Sequence, residues 1–112
     1  MGMMATGGLD KDGVLSSYAS LCMRRAGTEL VVDLETLNRP ALATAEAVVL
    51  LDEVEVGRVP LGDPGAFPAR FTVPASLDGR EFLSVRFKAD QFVYVDFKGA
   101  QGTARVRSIR FE

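Results

Sequence analysis

Residues 81–112, EFLSVRFKADQFVYVDFKGAQGTARVRSIRFE, decide how this chain is read. Three runs rich in Val, Ile, Phe and Tyr alternate apolar with polar residues, and short turn-like breaks separate them. Period-two alternation is the mark of half-buried antiparallel strands, because successive side chains in a strand point to opposite faces. In the first run Leu83, Val85 and Phe87 share one face, opposed by Phe82, Ser84, Arg86 and Lys88. In the second, Val93, Val95 and Phe97 oppose Phe92, Tyr94, Asp96 and Lys98. In the third, Val106 and the pair Ile109/Phe111 differ in parity. A bulge near Arg107–Ser108, or burial on both faces, is the expected resolution.

The same reading extends upstream. Residues 17–25 make a strand with Ala19, Leu21 and Met23 on one face. Residues 29–35 make another, with Leu30, Val32 and Leu34 inward and Val31 outward. Residues 36–44 form a longer loop. Residues 45–51 are almost wholly apolar and predict a central strand, a short helix over 41–51 being the competing reading. Asp52-Glu53 is a hairpin tip, and residues 54–61 return as a strand whose Pro60 belongs at a sheet edge. Pro68 and Pro74 bracket a further edge strand over 67–73. The spacing of about eight short strands predicts an all-β, jelly-roll-like sandwich of two antiparallel sheets. Residues 9–112 form the single domain and residues 1–8 a disordered N-terminus.

A chain of 112 residues is large enough for one core without a staple. Hydrophobic residues are 47% and charged residues 25%, as in ordinary folded domains. A net charge of −2 gives no global pull toward nucleic acid or anionic membrane. The chain has no His, which removes imidazole bases, Ser-His-Asp triads and His-ligated metals. One Cys, Cys22, makes neither an internal disulfide nor a thiolate zinc site, and it reads as a small core residue. No signal-peptide pattern is seen, so a cytoplasmic location is expected. Met1, Gly2 and Thr6 match the short myristoylation pattern, although Met3 and Met4 suggest an alternative start. No apolar run reaches the ~20 residues of a membrane helix.

Four groups of residues are candidates for chemistry. Phe82, Ser84 and Arg86 would lie beside Phe92, Tyr94 and Asp96 if residues 88–91 close a hairpin. Aromatic rings with planar polar groups suit a sugar, whose C–H face stacks and whose hydroxyls need hydrogen-bond partners. Phe82, Arg86, Phe92, Tyr94 and Asp96 are therefore the candidate ligand residues, against a solvated or self-associating sheet face. Asp10 and Asp12 beside Gly13 form a candidate Ca2+ turn, a solvated Asp turn being the commoner outcome. Arg105, Arg107 and Arg110, with Arg24 and Arg25, form an anion patch if first and last strands pair, unless acidic neighbours neutralise them. Asp33, Glu35, Glu53 and Glu55 lack any pattern that would bring two into one cleft as a glycosidase requires.

Several segments together resemble a known kind of domain. These are Asp12-Gly13 ahead of the first strand, LLDEVEVGRVPL (51–61 with its preceding Leu50), Pro64-Gly65 followed by FPARFTVP, FLSVRFKADQFV, and the ending RVRSIRFE. Their order resembles the small β-sandwich domains found beside bacterial glycosyltransferases, which are similar to carbohydrate-binding modules. Here Val14 follows the Asp-Gly pair where an aromatic often stands, and GAQGT is a short loop before the last strand. The resemblance implies a non-catalytic, carbohydrate-associated module and names no particular sugar. The alternative is a protein–protein interaction or self-associating domain, whose expected form is a homodimer.

Overall fold

A computed structural model describes the chain from Met3 to Glu112, with side chains from Gly7 onward. Met1 and Gly2, and with them the lipidation pattern, lie outside the described residues. The fold is all-β. Its strands are β1 (Met3–Leu9), β2 (Val14–Arg24), β3 (Glu29–Thr36), β4 (Glu46–Leu51), β5 (Val54–Pro60), β6 (Ala69–Thr72), β7 (Phe82–Ala89), β8 (Val93–Tyr94), β9 (Gln101–Gly102) and β10 (Ala104–Phe111). Three single 3-10 turns, at Pro40–Leu42, Pro64–Ala66 and Ala75–Leu77, are the helical elements among the described residues. The competing helix over 41–51 is thus reduced to one turn, followed by β4. No helix among the described residues is long and apolar enough to cross a membrane.

The main sheet has eight strands in the order β5-β4-β7-β2-β10-β3-β6, with β1 also on β2. Its layering follows from register. β1 and β10 both pair with Leu15, so they lie on opposite edges of β2. β1 and β7 both pair with Leu21, Cys22 and Met23, so they too lie on opposite edges. β10 and β7 therefore succeed each other along one edge of β2. Its first residues belong to the layer β2-β10-β3-β6, and its later residues to the layer β2-β7-β4-β5. The two layers of the sandwich share this strand and part where it bends.

The bend has a local cause. Ser16 Oγ donates to Tyr18 O at 2.6 Å and accepts from Tyr18 N, replacing a regular ladder bond. Opposite it, β1 shifts register twice, around Gly7. Gly8 sits in the left-handed region at φ 75, and a Cβ there would strike the backbone of Tyr18 and Ala19. A side chain at residue 8 would wedge the ribbon apart where it must fold tightest.

At the far side of the sandwich the edge strands β5 and β6 meet without hydrogen bonding. A Cβ on Gly57 would stand 2.5 Å from Phe71 Cε1, so the Phe71 ring lies directly against the β5 backbone. Pro60 and Pro68 stand at these edges, as their missing N–H groups require.

The core lies between the layers. Ala19, Leu21 and Met23 from β2, Leu30, Val32 and Leu34 from β3, and Leu83, Val85 and Phe87 from β7 are buried in one cluster, as the alternation predicts. The bulge expected near Arg107–Ser108 is present as a register shift between Val106 and Ser108. The hairpin tip at Asp52-Glu53 is also present, with both residues at positive φ, the geometry that matches the twist of two joined strands.

β10 is held between β2 and β3. Three expectations need correction. Residues 3–8 are not loose: they pair with β2, because the C-terminal part of β2 offers a free edge opposite β7. Val93 and Val95 are half-buried and Phe97 is exposed, because the chain turns at Asp96 before the alternation is complete. Val31 is fully buried on the outer parity. Its cross-strand neighbours are Arg110 and Arg70, whose aliphatic stems shield it while their heads reach water.

Those two heads converge on Glu112, Arg70 Nη1 at 3.0 Å and Arg110 Nε at 2.6 Å. Hydrogen bonds from Arg70 and then Arg110 hold the Glu112 carboxyl below its ordinary pKa. A carboxylate with a lowered folded-state pKa adds stability above the ordinary carboxylate range and loses it as pH falls through the folded value. An NMR titration of the Glu112 side chain is expected to show the depressed midpoint. Arg70→Ala is expected to move it part-way back, with Arg110 retaining the remainder.

Candidate functional site

The strand pairing divides the five candidate ligand residues into two places. β7 is hydrogen-bonded to β2 and β4, so it has no edge left for the run that follows it. The expected hairpin of 82–97 does not form, and Phe82 and Arg86 do not share a sheet with Phe92, Tyr94 and Asp96. Phe82 is half exposed on the outer face of β7, with Arg24 over its ring at 5.1 Å. Lys88 stands 5.7 Å over the Tyr18 ring at the other end of the same strand pair. The cations already lie against these rings. Arg86 is opposite Leu50 and ion-paired with Glu53, and its Nε is buried without an acceptor.

Tyr94 belongs to a separate small hairpin, β8–β9, and Phe92 immediately precedes it. Asp96 builds its turn: Oδ1 accepts from Lys98 N at 2.8 Å and Ala100 N at 3.0 Å, and Val95 N donates to Ala100 O. Gly99 supplies the positive φ. The sequence D-F-K-G is a turn signal of the Asx kind, and it outweighs the strand alternation through Phe97. Asp96 is therefore a turn-forming residue, and Phe97 stands in solvent at the tip.

The hairpin has two distinct faces. Val93 packs on the core, and Gly102 lies so close to Val95, Val14 and Leu37 that a Cβ would crowd all three. This face fixes the hairpin to the end of the sandwich. The other face carries Tyr94 and its direct cross-strand partner Gln101, which must point the same way. Phe92 has the same parity as Tyr94 and meets it edge to face, with ring centroids 5.5 Å apart. Tyr94 is 62% exposed and Phe92 half-buried, so the Tyr94 ring is open to a ligand with Phe92 behind its edge.

Gln101 borders an open recess of about 240 Å³ that also includes Asp10, Val14 and Ser16. Gln101 Oε1 accepts from Ser17 Oγ at 2.6 Å, which orients the amide NH2 away from that bond. Asp10 Oδ1 accepts from Asp12 N and Val14 N, closing the β1–β2 turn. Asp10 thus meets the aromatic hairpin at one end of the molecule, an association that sequence spacing alone does not reveal. Asp12 is exposed on the same turn. Among the described residues no three His, Cys, Asp or Glu side chains converge as a metal would require.

The remaining candidates are distributed over the surface. Arg24 pairs with Glu81, Arg25 with Asp78, and Arg105 and Arg107 share Glu35. Glu53 pairs with Arg86 and Glu55 with Arg58. Cys22 is half-buried on the outer parity of β2 rather than in the core. Sequence reading misses Gln101 and Ser16 as site residues. Their only signal is a short polar stretch within reach of an aromatic run. No known protein-family model and no curated relative matches the chain, so its site is read from its own geometry.

Proposed function

We propose that this chain is a non-catalytic binding module for carbohydrate, with its site at the β8–β9 end of the sandwich. The observation that carries this reading is the exposed Tyr94 ring, backed edge-on by half-buried Phe92, on the face shared with Gln101, whose side chain borders the recess formed with Asp10 and Ser16. A sugar ring presents a C–H face that packs on an aromatic ring, and hydroxyls at its rim that need donors and acceptors. Here the rings supply the first; the Gln101 amide supplies donors, and the free oxygen of Asp10 and the remaining lone pair of the Ser16 hydroxyl supply acceptors. A space of about 240 Å³ is below the usual range for drug-sized ligands. It suits one sugar ring of a longer glycan, the rest lying over the open surface. The resemblance to glycosyltransferase-associated sandwich domains points the same way.

The test is a glycan array and affinity electrophoresis with the intact chain and with Tyr94→Ala/Phe92→Ser. Loss of about 1.4 kcal/mol of binding, tenfold in affinity, is the expected result. Thermal stability should fall only modestly, since Tyr94 is largely in solvent and Phe92 is half-buried. Glycan binding unaffected by the double substitution removes this site. A second reading, contact with another protein through the hairpin, rests on the fully exposed Phe97. A concentration-dependent dimer abolished by Phe97→Ser, with no glycan bound, selects it.

A further inference from the structure

The recess at Val14 does not end at β2. Val14, Arg105 and Glu35 are direct cross-strand neighbours on β2, β10 and β3. Such neighbours share a face, so the three form one row across the outer surface of that layer. Strands are spaced about 4.8 Å apart, which places Glu35 about 10 Å from Val14. Glu35 in turn borders a second cavity, of about 300 Å³, together with Thr36, Asn38 and Arg107. Leu37, next to these residues, lies close to Gly102 of the aromatic hairpin. Both cavities therefore open at the same end of the sandwich, joined by a row whose centre is Arg105.

Positive charge gathers at one end of this row. Arg105 Nη1 is 3.6 Å and Arg107 Nη2 3.4 Å from the same carboxylate, that of Glu35. Both distances exceed the ~2.7–2.9 Å of a close guanidinium–carboxylate bond. The bulge between Val106 and Ser108 places Arg107 beside Arg105 at this carboxylate. Two guanidinium groups share one negative charge, and their forks are not filled by it. Asp10, at the other side of the row, receives the Asp12 and Val14 amides on one oxygen and keeps its negative charge, so the cationic end of the row is the one at Arg105 and Arg107. The guanidinium fork matches a carboxylate in a planar, two-bond geometry that a hydroxyl cannot reproduce.

We infer that the ligand of this module is an acidic oligosaccharide, one bearing uronic-acid carboxylates. One ring sits against Tyr94 and Gln101, and a carboxylate further along the row is held by Arg105 and Arg107. This inference rests on the carbohydrate reading above and specifies its ligand class. Thr36 and Asn38 provide hydroxyl partners at the far cavity.

The test uses an array of uronic-acid oligosaccharides, each beside its methyl-esterified form, in which the same sugar has lost its charge. The intact chain is expected to favour the free acids by fivefold or more. Arg105→Gln/Arg107→Gln should remove that preference while binding of the esterified forms persists. Tyr94→Ala should weaken both forms alike. Unchanged melting of the arginine double variant is expected, since exposed pairs of this kind contribute little to stability. Equal binding of acid and ester, or a preference that survives the arginine substitutions, overturns the inference and leaves the carbohydrate reading standing. Binding of no glycan overturns both.

Discussion

Phe87→Ala is expected to destabilise the protein by about 3–5 kcal/mol, the cost of deleting a large buried ring whose surroundings relax only in part. The ring is 2% exposed. Its strand β7 lies between β2 and β4, and its direct neighbours are Ala19 and Val49, both fully buried. Ala19 is small, so the neighbouring strand supplies little side chain to fill the space a missing ring would leave. Domains of this size have total stabilities of about 5–15 kcal/mol, so the loss is a large fraction of the whole. Urea unfolding measures it, as a fall in midpoint with little change in slope. Phe82→Ala on the same strand is the control. Phe82 is half exposed and touches Arg24, so its removal should cost about 1 kcal/mol or less. Equal losses for the two would mean that the faces of β7 are inverted.

The second large effect comes from a single methyl group at the bend of β2. Gly8→Ala places a Cβ into the backbone of Tyr18 and Ala19, atoms that have no rotamer by which to withdraw. The residue also sits at φ 75, where an L side chain costs about 1–2 kcal/mol before any clash. The clash must be relieved by separating β1 from β2, and a total of about 3 kcal/mol or more is expected. Gly7→Ala gives the contrast. A Cβ on Gly7 meets nothing within 4 Å, and its backbone is not left-handed. That substitution should be neutral or slightly stabilising, because alanine restricts the unfolded chain. Adjacent glycines thus carry opposite expectations, and thermal melting of the two variants separates them. Similar behaviour would mean that β1 does not follow the bend of β2.

The strand content of the fold was legible because most of its strands have one face toward the core. Alternation in 17–25, 29–35 and 82–89 identifies the inward residues from period alone. Pairing order was less legible. Which strand lies next to β7 depends on contacts between distant segments, and the adjacency of 82–88 and 92–98 in sequence suggested a hairpin that the β2 and β4 edges exclude. Val31 shows a second limit. Burial on the outer face comes from the stems of neighbouring strands' arginines in the case of Val31, and pattern reading assigns burial only to the inner parity.

The candidate site was legible only in part. The aromatics Phe92 and Tyr94 stand out in composition, and Asp10 stands out as a turn residue. Their meeting at one end depends on the packing of Val93 and Gly102 against the sandwich, which no local pattern encodes. Phe82 and Arg86 were grouped with them by the same hairpin expectation, and β7 carries them to another face. Arg105 and Arg107 were visible as charges, while the bulge that brings both to Glu35 appeared in the sequence only as a mismatch of parity.

The most direct measurement is NMR shift mapping of the 15N-labelled chain with a glycan that the array identifies. The account predicts that the amides of Ser16, Tyr94 and Gln101 move together with one dissociation constant, and that those of Tyr18 and Phe82 stay in place. Movement centred on Tyr18, Phe82 and Arg86, with the β8–β9 hairpin unperturbed, would contradict it.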